Sequence, residues 1–532
     1  MRPALLEQHF DVVVIGGGIS GVAIARQCAW GGKRTLLVEK NDFAAGTTSR
    51  STRIIHGGLR YLEHGDIVQV RASLKERERL VRHYPNLVKP KEFLLALDGS
   101  SRRSGLAIRA GLWLYRQMGG RLRDQQQSQQ EKLERALDSG RRFSIFSFDD
   151  AQCEFPERLL AEWVVDASAA GCVVRNHTEV LTVQTRDGQA RGVLLKDQLT
   201  DQEEQVSCSW VVNATGPWAD RVCQSSSIST QHPMVGGVRG AHIVLPTFDG
   251  APDAAIYAEA VDGRPVFVIP WNQQILVGTT EVADGDDPSR VHPSGEEIDY
   301  LLQSFKRLFP AVEVLGSDIT FAFAGIRPLP YSPGESPAAL SRRHHLIDHS
   351  DDGARGMISV IGGKLTTAGW IARECGAKLG IKSIPSEPAI VVCSREIEQS
   401  LGRQAHSLAG AGHISTESAS ILIEWFGDKA TDVANAARQS ATQRASLCPH
   451  TSHIVAEAVY AFQHEHAVTL SDVLLRRVPI ALGKCWSRKC AGVATQRIGA
   501  AVGWDAKQTN NQLEQFEAEY ENFLRRPSQV AR

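Results

Sequence analysis

The chain has 532 residues, 42% hydrophobic and 22% charged, with 59 basic against 60 acidic side chains. That length holds more than one domain around a large core, the charge balance gives no pull toward nucleic acid, and no apolar run approaches the ~18 residues a membrane-spanning helix needs. The ten cysteines are scattered, which fits a reducing compartment, and MRPALLEQHF is too short ahead of the first strand to serve as a signal peptide.

The first predicted element is Asp11-Val12-Val13-Val14-Ile15, a continuous apolar run of the kind that a parallel strand covered on both faces requires. It runs into Gly16-Gly17-Gly18-Ile19-Ser20-Gly21. Gly16, Gly18 and Gly21 fit G-x-G-x-x-G: a tight turn, a close backbone approach to a pyrophosphate, and close helix–strand packing. A helix from Val22 to Ala29 would aim its first amides at the phosphates. A second strand, Arg34 to Glu39, ends in an acid placed to accept from ribose hydroxyls. Glycine-rich turns are common, so the motif alone is weak; strand, glycines, helix, strand and acid in order define a dinucleotide-binding unit.

Next come Ser49, Ser51 and Thr52 in a loop of small hydroxyl residues, suited to the pyrophosphate region or, more plainly, to capping a helix. His56-Gly57-Gly58-Leu59-Arg60-Tyr61-Leu62-Glu63 follows. Residues 102–123 carry six arginines and no acid; Leu106, Ala110, Trp113 and Leu114 can share one helical face, which suits either a membrane interface or a core-facing helix with a solvated basic edge. Thr178-Glu179-Val180 reads as the end of a strand whose backbone meets the adenine. Val211 to Trp218 is a strand stopped by Thr215-Gly216-Pro217, and Met357 to Thr367 is another, ending in Gly362-Gly363 before a helix. Any one of these turns has a generic explanation; their order adds the weight. From about Ser394 turn residues thin out and helical periodicity takes over through Ile421–Trp425, Ile454–Phe462, Leu470–Arg477 and Gln512–Leu524. Cys485 and Cys490 form a C-x4-C pair with no evident partners, so they read as ordinary residues and no metal site is expected.

HGGLRYLE, Val266-Phe267-Val268-Ile269-Pro270-Trp271, Gly278-Thr279-Thr280, Gly325-Ile326-Arg327-Pro328-Leu329, Gly362-Gly363-Lys364-Leu365-Thr366-Thr367 and Leu470-Ser471-Asp472-Val473-Leu474-Leu475-Arg476-Arg477 together resemble the FAD-dependent, aerobic, quinone-linked glycerol-3-phosphate dehydrogenases. The resemblance covers nearly the whole chain. It implies an α/β fold (α+β overall): a Rossmann-like FAD domain of the D-amino-acid-oxidase and glutathione-reductase type from residues 1–85, 165–225 and 340–385, a β-rich substrate domain from 86–164 and 226–339, and a helical C-terminal cap from 390–532. Departures fall at Arg53, where the family commonly has lysine, at Ala241, Ala368 and Gly369, and around Phe155-Pro156-Glu157-Arg158.

The implied FAD site comprises Gly16, Gly18, Gly21, Glu39, Lys40, Thr48, Ser49, Ser51, Thr52, His56, Gly57, Val180, Ala214, Thr215, Gly216, Gly363, Lys364, Leu365 and Thr366. Oxidation of a phosphorylated polyol at a secondary alcohol needs a hydride acceptor, a proton sink and cations for the phosphate. By resemblance Arg60, Tyr61, Arg327 and Arg342 bind the substrate, since the arginine fork matches phosphate. His242, Arg327 and Lys364 are the catalytic candidates: His242 as general base, Lys364 as a cation near the flavin ring. The plainer readings are a satisfied core histidine, a structural ion-pair arginine, and Arg60 and Tyr61 packing beneath the flavin. The implied partner is a quinone, with a cytoplasmic protein peripheral on the membrane through 102–123 and room for a homodimer. Other readings are a FAD oxidase of an amino or hydroxy acid using oxygen, a non-catalytic FAD-binding subunit and, weaker, an NAD-dependent enzyme.

Overall fold

The computed structural model describes residues 5, 8–99, 101, 104–119, 129–335, 340, 342–382 and 394–525. Its strands fall into two sheets. Five of them, β1 (His9–Ile15), β2 (Thr35–Val38), β6 (Val173–Arg175), β9 (Glu203–Asn213) and β17 (Met357–Ile361), form a parallel array in the order β17-β9-β1-β2-β6. Antiparallel strands extend it: β16 (His345–Asp348) on β17, and the meander β7 (Thr178–Arg186) and β8 (Gln189–Asp197) on β9.

The apolar run of β1 follows from this position. Val12 and Val14 pack with the helices Ile19–Trp30, Pro156–Ala169 and Ala368–Lys378, whereas Phe10, Val13 and Ile15 pack on the other face with Val193, Val211 and Met357. From Val12 to Ile15 alternate side chains thus enter two different cores, so this part of the strand is apolar throughout. Residues 178–180 open β7 and do not close a strand as the sequence suggests. The chain turns at Asn176 and His177, where His177 takes φ +48, and Thr178 N donates to Glu39 O at 2.8 Å. The segment therefore still meets the end of β2.

The second sheet runs β14-β10-β13-β12-β11-β4-β5-β3, with β15 on β10. Its strands are β3 (Ile54–Ile55), β4 (Lys89–Asp98), β5 (Phe143–Gln152), β10 (Val235–Pro246), β11 (Ala255–Glu259), β12 (Pro265–Trp271), β13 (Gln274–Gly278), β14 (Val282–Ala283) and β15 (Phe321–Pro330). The short β3 follows the hydroxyl-rich loop, so one segment leads directly from the first sheet to the second. Two further bonds tie the sheets: Gly362 N to Pro328 O (2.8 Å) and Thr47 Oγ1 to Ile326 O (2.7 Å).

The C-terminal helices dock through buried charge. Asp42, just after β2, accepts from Arg476 Nε at 2.6 Å, from both Arg477 terminal nitrogens at 2.7 and 2.9 Å, and from Asn176 at 2.9 Å. Burial alone would raise the Asp42 pKa; the two arginines outweigh it and lower it. Arg158, also fully buried, pairs with Glu465 at 2.6 Å and with Glu162. Removing one partner from such a cluster costs about 3–5 kcal/mol. The family-like LSDVLLRR segment thus clamps the helical domain onto the end of β2.

Candidate active site

The carboxyl ends of β1, β2, β9 and β17 open into one crevice of about 370 Å³, the position where open parallel sheets bind ligands. Gly16 turns the chain at φ +106, and a side chain at Gly21 would collide with the Gly16 carbonyl; the helix that follows can approach only because Gly21 has none. Thr48 Oγ1 accepts from Ile19 N at 3.0 Å, which holds the hydroxyl loop against the helix N-terminus. Glu39 accepts from Gly17 N (2.7 Å) and Asn41 N (2.9 Å); burial raises its pKa despite those bonds. Asn213 accepts from Thr215 Oγ1 at 2.7 Å and donates to Ala219 O at 2.9 Å, fixing the Ala214–Gly216 turn. Lys40 Nζ lies 4.5 Å from the Trp218 ring, and both line the crevice.

A second cavity of about 240 Å³ adjoins the first; Thr47 and Ser51 line both. Candidates from separate elements meet in it. His242, on β10, is 2% exposed; its Nε2 is 3.0 Å from Thr52 Oγ1 and its Nδ1 has no hydrogen-bond partner. The ring stacks on Phe323 at 5.0 Å, and a side chain at Gly278 opposite would strike it. Burial, then the charges of Arg327 and Arg53, push its pKa down to about 3, so the imidazole is neutral. Arg327, on β15, donates to Thr279 Oγ1 (2.8 Å) and Thr280 O (3.3 Å). Arg342 pairs with Glu281. Lys364 follows β17 on the crevice wall, with Nζ buried, lacking a hydrogen-bond partner and 4.6 Å from the Tyr61 ring. Burial pushes its pKa down to about 7. His56 also lines the second cavity, held neutral by burial and by Lys364, Arg342 and Arg77.

Gly16, Gly18, Glu39, Lys40, Thr48, Ser51, Val180, Ala214, Thr215, Gly216, Lys364 and Leu365 therefore share the crevice, while Thr52, His56, Tyr61, His242, Arg327 and Arg342 share the second cavity. Gly21 acts by packing. The Ser49 hydroxyl is taken by Ala44 O, Thr366 Oγ1 accepts from His56 N at 3.1 Å, and Gly57 N donates to Tyr115 OH (2.8 Å) and Asp150 (3.3 Å). Gly363, at φ +86, lies beside Gly362 of the crevice wall. The Arg60 side chain, Arg102, Arg103 and residues 120–128 lie outside the described residues.

Several residues that are not among the sequence-predicted site candidates hold this arrangement. Asp150, buried on β5, accepts from Arg77 at 2.7 Å and Tyr115 at 2.8 Å. Thr279 and Glu281 brace the two arginines. Arg53 forms a fully buried, two-pronged ion pair with Glu157 at 2.9 and 3.0 Å and lies 4.6 Å from the Trp271 ring. Two departures from the family pattern, at Arg53 and in the 155–158 segment, are thus one interaction. Cys485 and Cys490, read from sequence as ordinary residues, lie against Cys448 and His450. Their separation in sequence hides the contact.

Residues 11–369 match the family model for FAD dependent oxidoreductases, and residues 392–509 the one for the C-terminal domain of alpha-glycerophosphate oxidase. A Synechocystis glycerol-3-phosphate dehydrogenase is 35% identical, over 97% of each chain, and an aerobic glycerol-3-phosphate dehydrogenase of Bacillus subtilis 28%, over 97% of this chain and 95% of its own. The fold is also that of the Bacillus halodurans glycerol-3-phosphate dehydrogenase complexed with FAD: TM-score 0.77 at 23% identity, over 98% and 96% of the two chains. The chain belongs to the FAD-dependent oxidoreductase family, and within it to the glycerol-3-phosphate dehydrogenases. Its cofactor is FAD. The crevice fits that group: glycine approach points, a helix N-terminus, a carboxylate with free lone pairs, and a buried ammonium lacking a hydrogen-bond partner at the far end.

Proposed function

We propose that this enzyme oxidises glycerol 3-phosphate at C2 to dihydroxyacetone phosphate and passes the electrons to a quinone. The observation that carries the reading is the junction of the two cavities at Thr47 and Ser51, with Arg327 and Arg342 lining the second. The names of the relatives support the substrate. FAD, when bound, supplies the hydride acceptor.

The chain's own residues supply the rest. Arg327 and Arg342 are held by Thr279, Thr280 and Glu281 in fixed orientations, so a phosphate meets preorganised donors. Neutral His242 takes the C2 hydroxyl proton, directly at Nε2 or through Thr52 Oγ1, which already contacts it. Its low basicity owes part to Arg327; a phosphate dianion on Arg327 offsets that charge and raises the imidazole pKa when it is needed. Burial brings the Lys364 pKa down to about 7; negative charge developing at the reacting centre draws the proton onto Nζ, where the dry surroundings make that charge effective. Apolar walls from Phe93, Phe148, Tyr257 and Phe267 exclude water.

Quinone is a lipid, and the helix Gly105–Gly119 presents Leu106 and Trp113 to solvent, 77% and 64% exposed, while Leu112 and Tyr115 face the core. Ile67 and Val68 are exposed as well. We assign this surface to membrane contact; no helix among the described residues is long and apolar enough to cross a bilayer.

The test is anaerobic. The yellow protein mixed with glycerol 3-phosphate loses flavin absorbance at once and regains it with a quinone analogue. Bleaching by an amino acid or hydroxy acid instead would assign an oxidase-type substrate, and no bleaching by any of them would leave a FAD protein without this activity.

A further inference from the structure

The helical domain contains a cluster that the redox chemistry does not use. Cys448 and His450 are separated by one residue; after 34 intervening residues comes Cys485, and Cys490 completes a C-x4-C pair. The first two lie in the loop between the helices Ala441–Arg444 and Val455–His464, closed by Leu447 N to His453 O at 2.8 Å. The second two flank Ser487, the N-cap of the helix Arg488–Val502, so Cys490 stands in its first turn. Three thiol sulfurs and one imidazole nitrogen all fall within 4.8 Å of one another, with Cys490 Sγ 3.6 Å from His450 Nδ1.

We propose that these four residues bind one zinc ion as a structural Cys3His site. Zinc–sulfur bonds of about 2.3 Å and a zinc–nitrogen bond of about 2.0 Å put tetrahedral donors roughly 3.5–3.8 Å apart. The cluster is already close to that size. A two-iron cluster shares the four donors between two metals and needs a wider set. Soft thiolates exclude magnesium and calcium. With all four positions filled by protein the site has no open coordination position, which marks it as structural and not catalytic.

The surroundings agree. Three thiolates on a dication leave one net negative charge; the helix N-terminus at Cys490 and the exposed cations Lys484, Arg488 and Lys489 offset it. The other candidate set among the described residues, Asp42, His177 and Asp472, differs: Arg476 and Arg477 already occupy those carboxylates. Cys448, Cys490, Leu447 and Trp486 belong to the core shared with the second sheet, and Leu482 O accepts from Asn272 and Gln274 at the β12–β13 turn. The ion would thus staple the helical domain where it meets the substrate sheet.

Full-length FAD-loaded protein, expressed with added zinc and purified under reducing conditions, is analysed for metals by mass spectrometry. The expected result is about one zinc per chain and no iron. C485S and H450A lower the zinc content several-fold, whereas C375S, distant from the cluster, retains it. Cobalt substituted into the wild-type protein shows the thiolate charge-transfer and tetrahedral d–d bands; this readout needs no variant to fold. Wild-type protein with only trace metal, iron with sulfide in place of zinc, a Cys485–Cys490 disulfide in the freshly purified protein, or zinc unaffected by C485S and H450A would each overturn the assignment.

Discussion

Lys364 Nζ lies 4.6 Å from the Tyr61 ring, buried and with no hydrogen-bond partner, where the dinucleotide crevice approaches the second cavity. A buried ammonium without a partner costs free energy, and a cation–π contact returns only about 1–2 kcal/mol of it. The fold holds the residue although its burial lowers stability, so the proposed role of Lys364 can be tested on stability and on turnover separately.

The first prediction follows from its titration. Burial moves Lys364 from 10.5 down to about 7. Between those two values the unfolded chain holds a proton that the folded chain has released, so stability rises with pH across that window. In protein stripped of FAD, Lys364→Met is therefore more stable than wild type below pH 7, and its advantage shrinks as the pH climbs toward 10. Thermal unfolding at a series of pH values reads this directly. The same variant, reloaded with FAD, loses on the order of 10²-fold in kcat. Equal activity of variant and wild type would remove Lys364 from the mechanism.

His242 gives a second prediction. His242→Asn cannot act as a base, and the expected loss in kcat is about 10²–10⁴-fold with FAD content unchanged. Thr52→Val keeps the imidazole but removes its Nε2 partner; the expected effect is smaller and falls mainly on kcat. His56 lines the same cavity, so parallel measurement of His56→Asn identifies which imidazole the reaction uses. A larger loss at His56 would transfer the role.

Much of this arrangement was legible in sequence because it rests on local pattern. Gly16, Gly18, Gly21 and Glu39 lie within one βαβ unit, so spacing alone reports their geometry. The turns at Ala214–Gly216 and Gly362–Gly363 were legible because each ends an apolar strand. Contacts between distant segments were not. Nothing in the spacing of Arg53 and Glu157, or of Asp42 and Arg477, predicts that each pair shares a buried ion pair. Asp150 gives no sign that it fixes Gly57 through Tyr115. The Cys448 and His450 partners of Cys485 were missed for the same reason: long loop closure leaves no local trace.

Phosphate recognition supplies a third prediction. Arg327 presents a fork braced by Thr279 and Thr280. Arg327→Met removes a charge-assisted contact of about 2–3 kcal/mol, or roughly 30–150-fold in kcat/KM. Arg327→Lys keeps the charge and loses the planar fork, so it recovers only part of that loss. Inhibition by inorganic phosphate should weaken in parallel. Inhibition that is unchanged in both variants would place the phosphate elsewhere.

The Arg53–Glu157 pair tests whether the departures from the family pattern are structural. Both side chains are buried, and the pair joins the hydroxyl loop to the helix Pro156–Ala169. Glu157→Gln strands the guanidinium and is expected to cost about 3–5 kcal/mol in chemical denaturation. The double variant Arg53→Met, Glu157→Leu removes both charges and regains most of that stability, because a packed apolar pair avoids the desolvation cost. If the double variant is no more stable than Glu157→Gln, the pair's hydrogen bonds to Ser49 O and Glu154 O carry the stability instead.

The exposed face of Gly105–Gly119 makes the last prediction. Leu106 and Trp113 project from a helix anchored by Leu112 and Tyr115, so they can enter a lipid interface without unfolding the protein. Arg109 and Arg116 on the same helix can meet anionic headgroups, at about 1 kcal/mol per charge near the surface. Leu106→Glu with Trp113→Glu should abolish co-sedimentation with vesicles containing anionic lipid, and Arg109→Glu should weaken it in proportion to the anionic fraction. Turnover with a water-soluble electron acceptor stays at the wild-type rate, since neither Leu106 nor Trp113 lines the substrate cavity, whereas turnover with a membrane-borne quinone falls. Two rates falling together would mean that the substitutions disturb the Tyr115–Asp150 contact behind the helix, and vesicle binding unchanged in the double variant would rule this face out as the membrane surface.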